Sequence, residues 1–343
     1  LLKFFIKKEI YSEMLKVHFL NVGHGDCTII RHPDGRVTMI DINNAKDLDS
    51  TTVQELEISG GRIASLNPYK FSFMGGDIPL NTQGRRIASR DSAIDSLPNL
   101  ARFDRGYDIP LSNPIEFMRQ QNYNHIFRYI QTHPDLDHMR GLTALRDAGY
   151  KITNFWDTLH LKQPNFFSQS DRENWEQYQL LRNSTDCKVL NLYRGGQNNY
   201  YAQDGIEILA PTRELIKLAN QRNNWNNLSY VIRLTYCGIR IIFGGDAEED
   251  VWKSIIDHYG DNLRCHVLKA SHHGRDSGYY QEAVKLMSPK YTIVSVGKKP
   301  STDASNKYRR YTRDSVWSTR WKGDITLQID WQGTAKFFLE YDR

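Results

Sequence analysis

The sequence predicts an α/β protein in which two sheets pack together with helices outside. Three observations carry this expectation. Short runs rich in β-branched and aromatic residues recur through most of the chain. Helical patterns stand between them late in each half. Asp34-Gly35 separates two strand-like runs, as a hairpin turn does.

The elements follow in order. Residues 17–22, 27–32 and 37–42 read as strands, the last two joined by the Pro33-Asp34-Gly35 turn. Asn113-Pro114 before residues 115–119 matches a helix N-cap with proline in the first turn. Residues 126–130 form a strand that runs straight into Thr132-His133. Further strands are expected at 152–161, 188–193 and 206–209. Residues 230–236 and 239–243 flank a Cys237-Gly238 turn. Residues 247–259 read as a helix, with acidic side chains in the first turn and Val251, Ile255 and Ile256 on one face. Strands at 267–270, 291–296, 325–331 and 335–341 complete the set.

Residues 43–112 differ in composition, being rich in Ser, Gly, Asn and Arg. A structureless loop of that length is unusual in a compact domain. The stretch reads as an insertion, either a lid or a surface elaboration. Residues 1–13 read as an N-terminal extension ahead of Met14, and 14–343 as one domain carrying the insertion.

Composition narrows the function classes. Charged residues make up 25% of the chain and hydrophobic residues 39%, which argues against wholesale disorder. No apolar run approaches the roughly 20 residues that span a bilayer, so no membrane partner is expected. The four cysteines are scattered, which fits a reducing compartment, and cytoplasmic location is the expectation. A formal net charge of +5 is compatible with a phosphate-bearing partner.

Chemistry concentrates at His133-Pro134-Asp135-Leu136-Asp137-His138. Four possible metal ligands, His133, Asp135, Asp137 and His138, follow directly on a strand end. Such an end holds ligands to the tolerance a metal needs. Imidazole with carboxylate suits zinc or manganese. Asp246 follows the strand end Phe243-Gly244-Gly245. His272-His273-Gly274 follows Val267-Leu268-Lys269-Ala270.

Together these motifs resemble the metallo-β-lactamase superfamily, and within it the soluble hydrolase domain of ComEC-type competence proteins. Phe19-Leu20-Asn21-Val22-Gly23-His24-Gly25-Asp26 is similar to the family's FLDVGQGD opening. Met39-Ile40-Asp41 is similar to its LIDTG strand end. Thr132 to His138, with Gly141-Leu142, is similar to SHPDxDHxGGL. Gly245-Asp246 is similar to TGD, and Leu268-Lys269 through Gly274 to LKxxHHG. The resemblance leaves out the N-terminal extension and the insertion.

That resemblance implies an αββα sandwich with the site at the sheet edge. It implies one metal on His133 and Asp135, another on Asp137 and His138, and Asp246 between them. One histidine of the His272-His273 pair would complete the first side, with His273 preferred. The other would donate a proton or contact a substrate phosphate. Asp26 would support the site by hydrogen bonding. The family's late N-x-Y-G-H-P histidine falls here on Arg310, within Asn306-Lys307-Tyr308-Arg309-Arg310-Tyr311. This leaves the Asp137 and His138 side short of a ligand. Arg309 or Arg310 would bind substrate phosphate or stand in a surface loop.

The implied function is a metal-dependent hydrolase with one or two divalent ions, Zn or Mn. It would be a phosphodiesterase or nuclease that cleaves DNA through a metal-activated hydroxide. Asp137, Asp246 and His272 would be the catalytic residues. In the insertion, Arg62, Arg85, Arg86, Arg90, Arg102 and Arg105 would contact the nucleic-acid backbone. There Tyr69, Phe71, Phe73 and Phe103 would stack on bases or form a small core of their own. The alternatives are a small-molecule phosphodiesterase of the same fold, and a degenerate module that binds nucleic acid or protein without catalysis.

Overall fold

Successive strand residues face opposite sides of a sheet, and here both sides are apolar. In β1 (Leu15–Phe19), β2 (Thr28–Arg31), β3 (Val37–Ile40), β4 (Ile126–Ile130) and β5 (Ile152–Trp156), one set of residues is Phe19, Ile30, Ile40, Ile130 and Trp156. These pack against a second sheet through Ile206, Ile232, Phe243 and Val267. The other set is Ile29, Met39, Tyr129 and Phe155, which packs on helices. The computed structural model describes residues 14–44, 109–166, 168–196 and 200–341.

The first sheet has the order β14-β13-β1-β2-β3-β4-β5-β6, completed by β6 (Lys188–Leu190), β13 (Ile325–Ile329) and β14 (Ala335–Leu339). The second runs β12-β11-β10-β9-β8-β7. Its strands are β7 (Ile206–Ala210), β8 (Val231–Tyr236), β9 (Ile239–Phe243), β10 (Val267–Lys269), β11 (Tyr291–Val294) and β12 (Ser315–Ser318).

Helices α1 (Pro114–Gln120), α2 (Leu142–Asp147) and α3 (Gln169–Arg182) cover the outer face of the first sheet through Met118, Leu145 and Tyr178. The second sheet is covered by α4 (Arg213–Arg222), α5 (Glu249–Tyr259), α6 (Gln281–Met287) and α7 (Ser305–Arg309), through Leu215, Trp252, Val284 and Tyr308. A short α8 (Thr319–Lys322) follows β12. The four layers are the expected αββα sandwich.

The local signals act as read. The Asn113 side chain accepts from the Ile115 amide at 2.9 Å and caps α1. The strand expected at 152–161 is shorter. β5 stops at Trp156 because Asp157 turns inward, where its carboxylate takes the Tyr178 hydroxyl and the Arg182 Nε at 2.9 Å. Residues 157–166 form a loop instead. The N-terminal extension, and the insertion from residue 45 to 108 with its arginines and aromatics, lie outside the described residues.

β3 and β4 run parallel, as do β9 and β10. Their carboxyl ends deliver Asp41, His133, Asp246 and the His272-His273 pair to one edge of the sandwich. In open α/β sheets that edge is where ligand sites form.

Candidate metal centre

Asp41 is the scaffold of the first strand pair. Its Oδ1 accepts from the Thr132 amide at 2.8 Å. Its Oδ2 accepts from the Thr132 hydroxyl at 2.6 Å and lies 2.7 Å from His138 Nδ1. The Thr132 hydroxyl, committed as a donor to Asp41, is 3.0 Å from His133 Nδ1 and accepts there. Both histidines therefore carry a proton on Nδ1 and turn Nε2 inward. Such outer partners set the ring tautomer for a metal.

The inward atoms converge. His138 Nε2 is 3.3 Å from Asp246 Oδ1 and 3.8 Å from Asp137 Oδ2. His133 Nε2 is 3.8 Å from Asp246 Oδ2 and 3.7 Å from Asp135 Oδ1. His273 Nε2 is 3.1 Å from Asp137 Oδ2 and 3.5 Å from Asp246 Oδ2. One ligand atom each of His133, His138 and Asp246 falls within a 4.8 Å circle, as does one each of Asp26, His138 and His273.

The residues present fit a divalent cation. His133 Nε2, His138 Nε2 and Asp246 Oδ1 are buried without a hydrogen-bond partner, which is costly unless a ligand satisfies them. The charge balance agrees. Burial raises the Asp246 carboxyl, but His138, His273, His272 and His133 outweigh it and hold the group well below the usual range. Burial lowers His138, yet Asp246, Asp41 and Asp137 hold it well above an ordinary histidine. Without a cation, protons must balance the carboxylates. His133 is lowered by its burial and by His138, which keeps it neutral.

The backbone here is unusual. Asp41, His272 and His273 adopt positive φ of 55°, 48° and 53°, sparsely populated for residues with a side chain. At Gly25 (φ 134°) a Cβ would collide with the Asp137 carbonyl. Only glycine lets residues 23–26 approach the ligand loop so closely.

Of the pair, His273, preferred for the His133 and Asp135 side, lies nearest Asp137 at 3.1 Å, while His272 Nε2 faces Asp246 Oδ2 at 3.8 Å, the oxygen that His133 Nε2 also faces at 3.8 Å. His273 stands on the Asp137 and His138 side, which the left-handed turn at His272-His273 makes the fuller one. His272 is further out. Its Nδ1 hydrogen-bonds Ser277 Oγ at 2.6 Å. Asp135 is one-third exposed and paired with Lys162 Nζ at 2.5 Å. Asp26 pairs with Lys269 Nζ at 2.6 Å and also stands beside His138 and His273, within 4.8 Å of a ligand atom of each.

Arg309 and Arg310 are exposed at the end of α7, and among the described residues no hydrogen bond or ion pair links them to the centre. The buried face of α7 is Tyr308, whose hydroxyl reaches the Gly278 carbonyl at 3.3 Å, so the next two residues turn outward. Three contributors escaped the sequence reading. Ser229 Oγ accepts from the Asp246 amide at 2.9 Å. Glu248 is held by Asn224 and Asn226 at 2.8 and 3.1 Å and faces His272 at 3.7 Å. Lys162 is the third. The asparagine run before Ser229 was the available signal, since a polar cluster abutting a strand needs buried partners.

Two curated relatives match part of the chain. A stretch of 137 residues, 40% of the chain, is 26% identical to competence protein ComA of Neisseria gonorrhoeae. A stretch of 112 residues, 33% of the chain, is 26% identical to ComE operon protein 3 of Bacillus subtilis (strain 168). The architecture is an αββα sandwich. Its sequence resemblance is to the ComEC-type proteins, of which the matched stretches span 18% and 14% of the length. Among solved structures, the CmlA beta-hydroxylase E377D mutant aligns over 92% of this chain and 54% of its own, at 11% identity and a TM-score of 0.41. No family model matches the chain. Among the described residues, no helix is long and apolar enough to cross a membrane.

Proposed function

We propose that the chain is a metal-dependent phosphodiesterase that cleaves DNA. The observation that carries this reading is the convergence of His133, His138, His273, Asp137 and Asp246, with three buried donor atoms unsatisfied. His138, His273, Asp137 and Asp246 would hold a divalent ion, zinc or manganese, with His133 and Asp135 lining the adjoining side. When bound, such an ion polarises a phosphoryl oxygen and acidifies a water.

The chain's own groups supply the rest. Asp41 fixes His138, and Ser229 fixes Asp246 through its amide. Asp137 and Asp246 would orient the attacking water by accepting its hydrogen bonds. His272, one-fifth exposed at the open side, would protonate the leaving oxygen. Similarity to two competence proteins, together with the implied chemistry of that family, favours DNA over a small diester. The basic insertion would add backbone contacts.

The test is a panel of single-stranded DNA, double-stranded DNA and bis(p-nitrophenyl) phosphate with zinc, manganese or magnesium. DNA should be degraded in a metal-dependent way that Asp137→Ala abolishes. Hydrolysis of the small diester alone points to the small-molecule reading. DNA retained without cleavage under any metal points to a binding module.

A further inference from the structure

The Asp135–Lys162 pair splits the centre into unequal halves. Asp135 Oδ1 is the carboxylate oxygen nearest to His133 Nε2 on that strand end, at 3.7 Å, and the same oxygen bears Lys162 Nζ at 2.5 Å. A cation on His133 and Asp135 would have to displace this ammonium or sit beside it, against like charge. On the other half, Lys269 Nζ stands on Asp26 Oδ1 at 2.6 Å, but His138, Asp137, His273 and Asp246 themselves meet with no lysine or arginine in ion-pair contact with any of the four among the described residues.

Lys162 is a built feature. It lies in the 157–166 loop, which is anchored along its length. Tyr230 donates its hydroxyl to the Asp157 carbonyl at 2.8 Å. His160 Nε2 bonds the Tyr178 hydroxyl at 2.7 Å, and His160 Nδ1 accepts from the Lys162 amide at 3.1 Å. Asn220 clamps both neighbours, accepting from the Leu161 amide at 2.8 Å and donating to the Leu159 carbonyl at 3.0 Å. Only 15% of the Lys162 side chain is exposed, though lysine is ordinarily a surface residue. The loop delivers an ammonium to one carboxylate of the centre and holds it there.

We propose that Lys162 takes the place of a second metal ion. The chain then holds one divalent ion, on the Asp137, His138, Asp246 and His273 side. Lys162 stands on the Asp135 side as a protein-borne cation. The inference rests on the metal reading of the centre and adds to it the number of ions, the half that is filled, and the group that supplies the second positive charge toward a substrate phosphate oxygen.

Metal content decides it. The full chain is saturated with zinc, desalted, and analysed by inductively coupled plasma mass spectrometry. Wild type should hold one zinc per chain and Lys162→Met two, a doubling. Asp135→Asn should stay at one, because that carboxylate is committed to Lys162. It also serves if the lysine variant fails to fold. Two zinc ions in wild type, one in folded Lys162→Met, or none in Asp135→Asn would overturn the inference. No zinc in wild type would overturn the metal reading beneath it, which distinguishes the two failures.

Discussion

The Nδ1–H of His138 donates to Asp41 Oδ2 across 2.7 Å, and this contact joins the end of β3 to the ligand loop after β4. It aims Nε2 at Asp246 Oδ1, 3.3 Å away. Asp41 touches no position where a metal would sit, so its effect passes through the ring. Asp41→Asn should weaken zinc binding by about 10- to 100-fold. A fluorescent-chelator competition titration checks this, with circular dichroism to confirm the fold. Unchanged affinity would mean that His138 needs no orienting partner.

Proton and metal compete for the same atoms. His138 is held above the ordinary histidine value because Asp246, Asp41 and Asp137 overcome the effect of its burial. His273 is raised likewise, by Asp246 and Asp137 against burial. A raised value means that the proton stays on at higher pH, so metal must displace it there. Apparent zinc affinity should therefore fall as pH drops toward the ordinary histidine value of about 6.5. It should already be falling above that value. Isothermal titration across pH reads this out, together with proton release on binding.

Metal should also stabilise the fold. Ligand at 100 times its dissociation constant adds about 2.7 kcal/mol to a protein that binds it only when folded. Chelation should lower the melting temperature of wild type and leave that of Asp246→Ala unchanged. Differential scanning calorimetry with and without chelator makes the comparison.

Gly25→Ala tests the packing of the 23–26 turn on the ligand loop. The substitution adds a Cβ where φ is 134° and where the Asp137 carbonyl already lies. The backbone cost alone is on the order of 1–3 kcal/mol. The variant should melt earlier, and it should lose metal out of proportion to that loss because Asp137 must move. Urea denaturation paired with metal analysis separates the two effects.

Asp324 gives a pH signature remote from the centre. Burial pushes its carboxyl up to about 6, despite bonds from Ser112 Oγ at 2.6 Å and the Asn21 amide at 2.7 Å. The unfolded value is about 3.9. The folded state thus keeps a proton that the unfolded chain has released. The group's stabilising contribution is whole below about 4 and is lost as pH rises through about 6. Asp324→Asn keeps the accepting oxygen and cannot titrate. The variant should gain stability over wild type across that window, by roughly 3 kcal/mol at neutral pH.

Much of the layer order was legible. Where one strand residue serves the inter-sheet core and the next serves the helices, as with Ile40 and Met39, both faces must be apolar and the run is visible. β4 and β9 were read to the residue for that reason. Helices α3 and α4 were not read, because α3 buries Asp171, Asn174 and Gln177 beside its aromatics and blurs the apolar stripe.

The centre divides the same way. His133, His138, Asp246 and His273 sit at strand ends, where chain position and spatial position coincide. Lys162 and Glu248 reach the site by side-chain geometry from a loop and a helix start, which no local pattern announces. Which ring of the pair turns deepest inward is set by the left-handed turn at His272-His273, and nothing in a His-His-Gly run states it.

The central claim is that the histidine and aspartate cluster is a hydrolytic metal centre acting on DNA. The most direct measurement is release of acid-soluble nucleotide from labelled single-stranded DNA by purified chain, metal-loaded or chelated, with Asp246→Ala alongside. Loaded wild type should release nucleotide, with chelated protein and the variant both at background. Release that persists under chelator, or equal release by Asp246→Ala, would contradict it.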